Sequence, residues 1–212
     1  MNSPLRIALN ANPEQERRLA ELQLAVSQVC NALVPVVRAN HCWNRVALHH
    51  LAYHDLRQKF PNIGSQMVCN AIYSVSRACR TILQSPNSPW LIARGGDAQL
   101  PLFQFLPTSP VFFDRHTLSV KGGAMSMYTL DGRMKFELAL SAQDEARFAG
   151  EKLREIALAK RERGFELTFR FSDADSEPEP SNNLPEYVLV QAPDAVAQRE
   201  DVLASANLEA SK

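Results

Sequence analysis

Residues 125–140, MSMYTLDGRMKFELAL, contain the strongest β-hairpin signal in this chain and decide how the rest of it is interpreted. Asp131-Gly132 is a preferred pair for a two-residue β-turn, because glycine adopts positive φ values without strain. In the arm that follows the turn, Met134, Phe136 and Leu138 alternate with charged residues. This two-residue period is typical of a strand that buries one face, so the stretch predicts two antiparallel strands.

The segments on either side of this hairpin show the same period. Before it, Leu118 and Val120 alternate with polar residues, and after it four apolar side chains alternate over residues 165–171. Between them, Ser141 is a typical N-cap residue and predicts a helix from Ala142 to Arg161. These patterns predict a small antiparallel barrel with one inserted helix.

Helices are predicted ahead of this sheet. Asn12-Pro13-Glu14-Gln15 combines an N-cap, a proline at the first helical position and a capping-box glutamine. Pro35 is expected to kink or end the helix that starts there, because proline lacks the N–H of the helical hydrogen bond. A second helix is predicted from Trp43 to Lys59. The residues that it is expected to bury are Trp43, Ala47 and Leu51.

The third helix, capped by Ser65, has the clearest amphipathic pattern. Its apolar stripe runs from Val68 to Leu83 at helical spacing, so the other side is expected to face solvent. The fold class predicted from all these segments is α+β. The residues on the expected solvent side are Gln66, Asn70, Tyr73, Ser74, Arg77, Arg80 and Thr81.

The formal net charge of zero conceals a segregation of charge along the chain. Residues 1–172 contain 21 Lys and Arg against 14 Asp and Glu, a net charge of +7. Residues 173–212 contain 2 against 9, a net charge of −7, and begin with an acidic, proline-containing stretch. That composition predicts a flexible acidic tail, in which Tyr187 to Val190 could form a short strand. The basic excess of the remainder favours nucleic acid as a partner, although modest excesses are common.

The cysteine, histidine and hydropathy patterns argue against several kinds of site and several classes of protein. The four cysteines contain no close CxxC pair, which predicts reduced thiols rather than a disulfide framework or a zinc ribbon. His50 and His54 share a helix face but lack the glutamate of an HExxH motif, so no metal site is predicted. Polar residues interrupt the stretch from Leu19 to Val37, and no secretory signal is visible. We therefore expect no membrane segment and a cytoplasmic protein.

The order of these elements resembles the N-terminal region of transposon-encoded TnpB proteins and of the small type V CRISPR effectors derived from them. A short strand, Leu5 to Leu9, leads into the helix that begins Asn-Pro-Glu-Gln-Glu. Val29-Cys30-Asn31 lies where that family has a hydrophobic-Tyr-Asn segment, with Cys30 at the usual aromatic position. Residues 111–113 and 117–121, the hairpin, and residues 164–171 are similar to the rest of the family's wedge domain.

The resemblance spans roughly residues 5 to 172 and implies a domain organisation. Residues 1–11 would be the first wedge strand, 12–85 a helical recognition domain, 86–172 the wedge-like barrel, and 173–212 the acidic tail. In that family these parts hold a structured guide RNA and read a short DNA motif, while base pairing reads the target sequence. The implied partners are therefore a structured RNA and duplex DNA.

The nuclease half of the family is missing from this chain. A two-metal nuclease needs several convergent carboxylates on a rigid scaffold. After the wedge-like region the chain offers only acidic residues between prolines, such as Asp173 and Glu177. We therefore expect no catalytic site, no metal and no cofactor, with guide RNA as the bound partner. The protein would act without cleavage or with a partner chain that supplies nuclease or other effector activity.

The candidate nucleic-acid-binding residues fall into four groups. The third helix would read DNA, the second would meet phosphates, the hairpin sheet would contact RNA, and the end of the inserted helix would add cations. Each also has an ordinary interpretation, as a solvated face, a half-buried strand residue or a cation at a helix C-terminus. The four groups are Gln66, Asn70, Tyr73, Ser74, Arg77 and Arg80; Arg45, Arg57 and Lys59; Lys121, Tyr128, Arg133 and Lys135; and Lys160, Arg161 and Arg163.

Three other functions stay open at this point. The chain could be a DNA-binding regulator that needs no RNA and places its third helix in the major groove. It could be a degenerate remnant associated with a transposase. An enzyme with a site between the helices and the sheet is the third alternative.

Overall fold

The protein is described here by a computed structural model that covers residues 3–92, 99–171 and 184–192. Within them, long helices pack against antiparallel strands, and one hydrophobic cluster extends from the helices into all the sheets. The α+β class is confirmed. The helices are α1 (Pro13–Asn40), α2 (Arg45–Lys59), α3 (Ser65–Gln84) and α4 (Ala142–Gly150). The strands are β1 (Leu5–Ala8), β2 (Leu102–Phe105), β3 (Val111–Phe113), β4 (Leu118–Lys121), β5 (Ala124–Thr129), β6 (Gly132–Glu137), β7 (Leu153–Arg161), β8 (Gly164–Phe171) and β9 (Val188–Gln191).

These strands form three separate antiparallel sheets rather than one closed barrel. Their orders are β1-β8-β7-β3, β2-β9 and β4-β5-β6. In the first sheet Leu5 lies opposite Phe169, so the chain leaves β1, makes three helices and later returns to pair beside it. The expected insertion of helices after a first strand is confirmed, whereas the closure into a barrel is wrong.

A hairpin and the capped start of α1 form where they were predicted. The turn is shifted by one residue from the predicted Asp131-Gly132 pair: Thr129 pairs with Gly132, which has a φ of 89° and begins β6, so the two turn residues are Leu130 and Asp131. At the start of α1, the Asn12 side chain accepts a hydrogen bond from the Gln15 backbone N–H, and the Gln15 side-chain oxygen accepts one from the Asn12 N–H. Both signals are carried by neighbouring residues, so they do not depend on how the rest of the chain folds.

Pro35 does not end α1, which continues to Asn40. Pro35 lies on the exposed side of the helix, while its neighbours Leu33, Val34 and Val37 are buried. Burial of these neighbours stabilises the last turns by more than one missing hydrogen bond costs, since each buried aliphatic side chain contributes about 1.5–3 kcal/mol. The expectation that the helix could end at this position is therefore wrong.

By length and composition α1 is also apolar enough to cross a bilayer, with a mean hydropathy of 1.3 over its most apolar window. Half of that window is buried inside the protein. The polar Gln23 side chain of this helix also bonds the chain elsewhere, since its amide donates to the carbonyl oxygens of Thr108 and Ser109.

Helix α2 turns a different face to the core than its sequence indicated. It begins at Arg45, because the Asn44 side chain accepts hydrogen bonds from the backbone of Val46 and Ala47. The buried residues are Leu48, Ala52 and Leu56, whereas Leu51 is 47% exposed. The error has a simple cause, since two similar apolar rows run along this helix and only its packing on α1 and α3 selects one.

The helix predicted from Ala142 to Arg161 ends at Gly150, and its second half is strand β7. Ile156 and Leu158 are buried on one face of this strand, which has β3 on one side and β8 on the other. Pairing on both edges satisfies its backbone hydrogen bonds, and this overrides the helical propensity of the segment. Lys160, Arg161 and Arg163 consequently lie at a strand turn and not at a helix end.

Part of the predicted acidic tail belongs to the folded structure. Val188–Gln191 form β9, which pairs with β2, and Val188 is buried. The tail prediction for residues 173–183 and 193–212 lies outside the described residues. The tail expectation is therefore wrong for residues 184–192.

Asn31 ties α1 to the edge of β2. Its amide donates to the Phe105 carbonyl at 2.9 Å and accepts from the Phe105 N–H at 2.7 Å. We expect Asn31→Ala to lower the free energy of unfolding by about 1–3 kcal/mol, because both backbone groups lose their partner. Urea unfolding followed by circular dichroism measures this. Asn40→Ala, which removes one exposed bond to Val36, is the control and should change stability by less than about 0.5 kcal/mol.

Candidate nucleic-acid interface

Helix α3 does not present the polar surface that its sequence predicted. It lies between α1 and α2 on one side and β3 on the other, and 13 of its 20 residues are buried. Asn70 and Ser74, two of the expected DNA-reading residues, are among them. Ser74 donates to the Asn70 carbonyl, and Asn70 donates to Thr117. The expectation of a solvent-facing reader helix is wrong for these residues.

Tyr73 and Arg77 instead hold a buried carboxylate. Glu155, on β7, has only 3% of its side chain exposed. Its Oε2 accepts from the Tyr73 hydroxyl at 2.8 Å and from Arg77 Nε at 2.9 Å. Arg170 Nε lies 3.2 Å from the other carboxylate oxygen. We call these four residues the Glu155 network. It joins α3 to the sheet.

Burial controls the protonation of the aromatic residues around this network. It raises the pKa of Tyr73, and the neighbouring Glu155 carboxylate raises it further. Burial likewise raises the pKa of Tyr187, which hydrogen-bonds Arg77. Both phenols therefore stay neutral at physiological pH, and the Tyr73 hydroxyl donates a hydrogen bond to the Glu155 carboxylate.

The burial of α3 bears on one of the alternative functions, that of a DNA-binding regulator that needs no RNA. A recognition helix must expose one long face to enter the major groove of DNA. On the polar face of α3, Asn70 bonds Thr117, and Tyr73 and Arg77 bond Glu155, so these three side chains are not available for the major-groove docking that an RNA-independent regulator would use.

The outer face of the β4-β5-β6 sheet keeps its expected interface residues accessible to solvent. Lys121, Tyr128, Arg133 and Lys135 are all exposed, on the face opposite the buried Met125, Met127 and Met134. We call these four residues the hairpin platform.

The centre of the platform is a stacked pair. Tyr128 and Arg133 are opposite each other on β5 and β6, and the Arg133 guanidinium lies 4.4 Å from the centroid of the Tyr128 ring. The Tyr128 residue is 44% exposed. A planar cation held over an exposed ring is arranged to stack on a base while meeting a phosphate.

A second group of cations lies at the turn between β7 and β8. We call Lys160, Arg161 and Arg163 the turn cluster; all three are exposed. Arg161 Nε is 3.7 Å from Glu166, and Lys160 lies 5.8 Å from the centroid of the Phe165 ring. Because the turn follows a strand, a helix macrodipole no longer explains these cations.

The start of α1 lies beside both groups. Gln15 Nε2 donates to the Lys135 carbonyl at 3.4 Å, which joins α1 to the hairpin platform. A side chain at Gly164 would lie 3.6 Å from Glu16 Oε1, which places α1 against the turn that carries the turn cluster. The two cationic groups therefore lie around the same end of one helix, although they are far apart in sequence.

The remaining expected residues divide between structural contacts and a groove. Arg57 donates to the Ile63 carbonyl at the end of α2, and Lys59 is exposed nearby. Arg45, Gln66 and Arg80 line a groove of about 590 Å³ between α2 and α3. The sequence did not indicate that Trp43 and His49 also line this groove. Both lie near the start of α2, and the sequence alone does not show which side chains of α2 meet α3.

The cysteines and histidines form no metal-binding group in the part of the chain that the structure describes. No three His, Cys, Asp or Glu side chains there are arranged to hold a metal ion. Cys30 and Cys79 are buried, and burial raises the pKa of the Cys79 thiol to about 12. A neutral buried thiol is a poor nucleophile.

Comparison with known proteins adds no assignment. No protein-family model matches this sequence, and no curated protein matches it. The arguments for function therefore come from the hairpin platform, the turn cluster and the groove.

Proposed function

We propose that this protein binds a structured RNA through the hairpin platform and, guided by that RNA, binds duplex DNA without cutting it. The stacked Tyr128–Arg133 pair carries the proposal. RNA-binding sheets commonly present exposed aromatic rings on which unpaired bases stack, with cations that meet the phosphates between them.

Charge supports the platform as an RNA surface. Lys121 and Lys135 lie on the same face as the stacked pair. Glu137 is the acidic residue on that face, and Asp131, at the turn, lies 3.7 Å from Arg18 Nε. The turn cluster adds cations on the other side of the start of α1. Such a surface can follow a folded backbone for several nucleotides.

The DNA-binding part of the proposal comes from the resemblance to TnpB proteins. Gln66 and Arg80, which were expected to read DNA, still share a surface with Arg45, which was expected to meet phosphates. A partner chain would supply nuclease or other effector activity where it is needed. The protein would bind its guide RNA in the cytoplasm.

The first test is to purify the full chain at low ionic strength and to sequence any RNA that accompanies it. We expect one discrete, structured RNA species. The same RNA, transcribed in vitro, should bind purified nuclease-treated protein more tightly than an unstructured RNA of equal length. Protein that is free of nucleotide and has no affinity for folded RNA or duplex DNA would contradict the proposal.

Salt dependence tests the location of the RNA site. Arg133→Gln/Lys135→Gln should reduce the slope of log Kd against log salt concentration by about 1.4, because each lost phosphate contact removes about 0.7. Fluorescence anisotropy with labelled RNA measures this. Arg6→Gln/Lys152→Gln removes the same charge outside the platform and should leave the slope unchanged. An equal change in both variants would show that only net charge matters.

A further inference from the structure

The groove between α2 and α3 contains groups of three kinds that no part of the proposed RNA surface uses. Its cationic and imidazole groups come from Arg45, Arg80 and His49. Its amides come from Gln66 and Gln84, and the indole of Trp43 forms an aromatic wall. Its volume of about 590 Å³ lies within the range of roughly 300–1,000 Å³ typical of small-molecule sites.

The charge of the groove favours an anion. No carboxylate lines it among the described residues. Asp114 accepts a hydrogen bond from the Gln66 amide at 2.6 Å and so holds that side chain. Two guanidinium groups on facing helices are suited to a phosphate, which they bind through charge-assisted hydrogen bonds.

The groove is already organised before any ligand binds. Ser76 on α3 donates to the Trp43 carbonyl at 2.7 Å, and the Asn44 side chain caps α2 directly after it. His49 stacks on Tyr53 with ring centroids 4.6 Å apart, and Arg45 lies 5.2 Å from the centroid of Tyr73. These contacts hold the lining groups in place, so binding would cost little ordering entropy.

We propose that this groove binds a single nucleoside 5′-phosphate, with its phosphate on Arg45 and Arg80 and its base against Trp43. Gln84, one turn after Arg80, would then meet the polar edge of the base, as carboxamides do in base recognition, whereas Gln66 lies roughly 27 Å away at the other end of α3. A free nucleotide and one unstacked nucleotide of a strand both fit, because they present the same chemistry. The proposal does not depend on the hairpin platform.

Trp43 provides the test, because the chain has only two tryptophans and Trp90→Phe leaves Trp43 as the sole reporter. AMP, GMP, CMP and UMP are titrated separately while tryptophan fluorescence is recorded. At least one should give saturable quenching, and adenosine or inorganic phosphate alone should bind about tenfold or more weakly. Absence of saturable quenching by all four at millimolar concentration would overturn the proposal. Equal binding of phosphate alone would also overturn it.

Matched variants locate the site. Arg45→Gln and Arg80→Gln should each weaken nucleotide binding about tenfold or more, through the loss of a charge-assisted contact. Arg6→Gln, which removes an exposed cation on β1, should not. If Arg45→Gln and Arg80→Gln both keep full affinity, the groove is not the site.

Thiol labelling gives a second readout that does not involve fluorescence. Cys69 lines the groove and is partly exposed, whereas Cys42 is partly exposed but does not line it. The bound mononucleotide should slow iodoacetamide modification of Cys69 and leave that of Cys42 unchanged, as measured by mass spectrometry. Equal labelling of Cys69 with and without nucleotide would count against the proposal.

Competition then identifies the source of the nucleotide. If a short single-stranded RNA or DNA displaces the mononucleotide from Trp43, the groove takes one nucleotide of a strand. If only free mononucleotides bind, it takes a small metabolite. Either result supports the site. A variant with Tyr128→Ala should bind mononucleotides normally, so failure of the hairpin platform and failure of the groove can be distinguished.

Discussion

Replacing Glu155 with alanine should lower the free energy of unfolding by about 3 kcal/mol, because Arg77 would be left with its partner removed in a mostly buried site. Arg77 has 21% of its side chain exposed and accounts for most of this expected loss. Arg170 is 46% exposed, so water can replace much of its interaction with Glu155. For this reason the expected value is near the lower end of the range for broken buried ion pairs.

Urea unfolding followed by circular dichroism measures this loss. The matched control is Glu162→Ala, which removes a carboxylate from the exposed β7–β8 turn and should change stability by less than about 0.5 kcal/mol. The double variant Glu155→Leu/Arg77→Met should be less destabilised than Glu155→Ala, because it leaves no buried charge on Arg77. A cost for Glu155→Ala as small as that of the control would mean that the network contributes nothing to stability.

Tyr128→Ala should weaken binding of the co-purified RNA about tenfold or more, since loss of one base–aromatic stack typically costs about 1–3 kcal/mol. The ring is exposed and contacts Arg133, so its removal should leave the fold intact. Tyr128→Phe keeps the ring and should bind RNA nearly as well as the unchanged protein. Fluorescence anisotropy at one fixed salt concentration compares the three proteins.

Leu189→Ala is the matched control for Tyr128→Ala. Leu189 is similarly exposed, at 47%, but lies on β9, outside the platform. This variant should bind RNA with unchanged affinity. If Tyr128→Ala also binds RNA with unchanged affinity, and that binding still requires low salt, the contact between the ring region and RNA is electrostatic only. The stacking part of the proposal is then wrong.

Local patterns predicted much of the secondary structure. The Asp131-Gly132 hairpin, the capped start of α1 and most of α3 were predicted because their signals are carried by adjacent residues. The segment from Leu153 to Arg161 was missed because its choice between helix and strand depends on β3 and β8, which are distant in sequence. Propensity within the segment itself favoured the wrong answer.

The candidate site likewise contains residues whose exposure local patterns predicted and residues whose role only the fold revealed. The exposed residues of the hairpin platform could be predicted, because strand alternation alone assigns Tyr128 and Arg133 to one face. The role of Tyr73 and Arg77 could not, because helical periodicity shows which residues share a face but not what covers that face. In α3 the polar face is covered by the sheet, and a buried carboxylate partners it.

The sequence by itself determined the α+β class, the hairpin, the three helices after the first strand and the basic character of residues 1–172. Only the tertiary structure decided that α3 is buried on both sides, that residues 153–161 form a strand, and that Trp43, Arg45 and Arg80 share a groove. The physical reason is that capping, turn and periodicity signals act between neighbours in the chain. Burial and strand pairing depend on residues that only folding brings together.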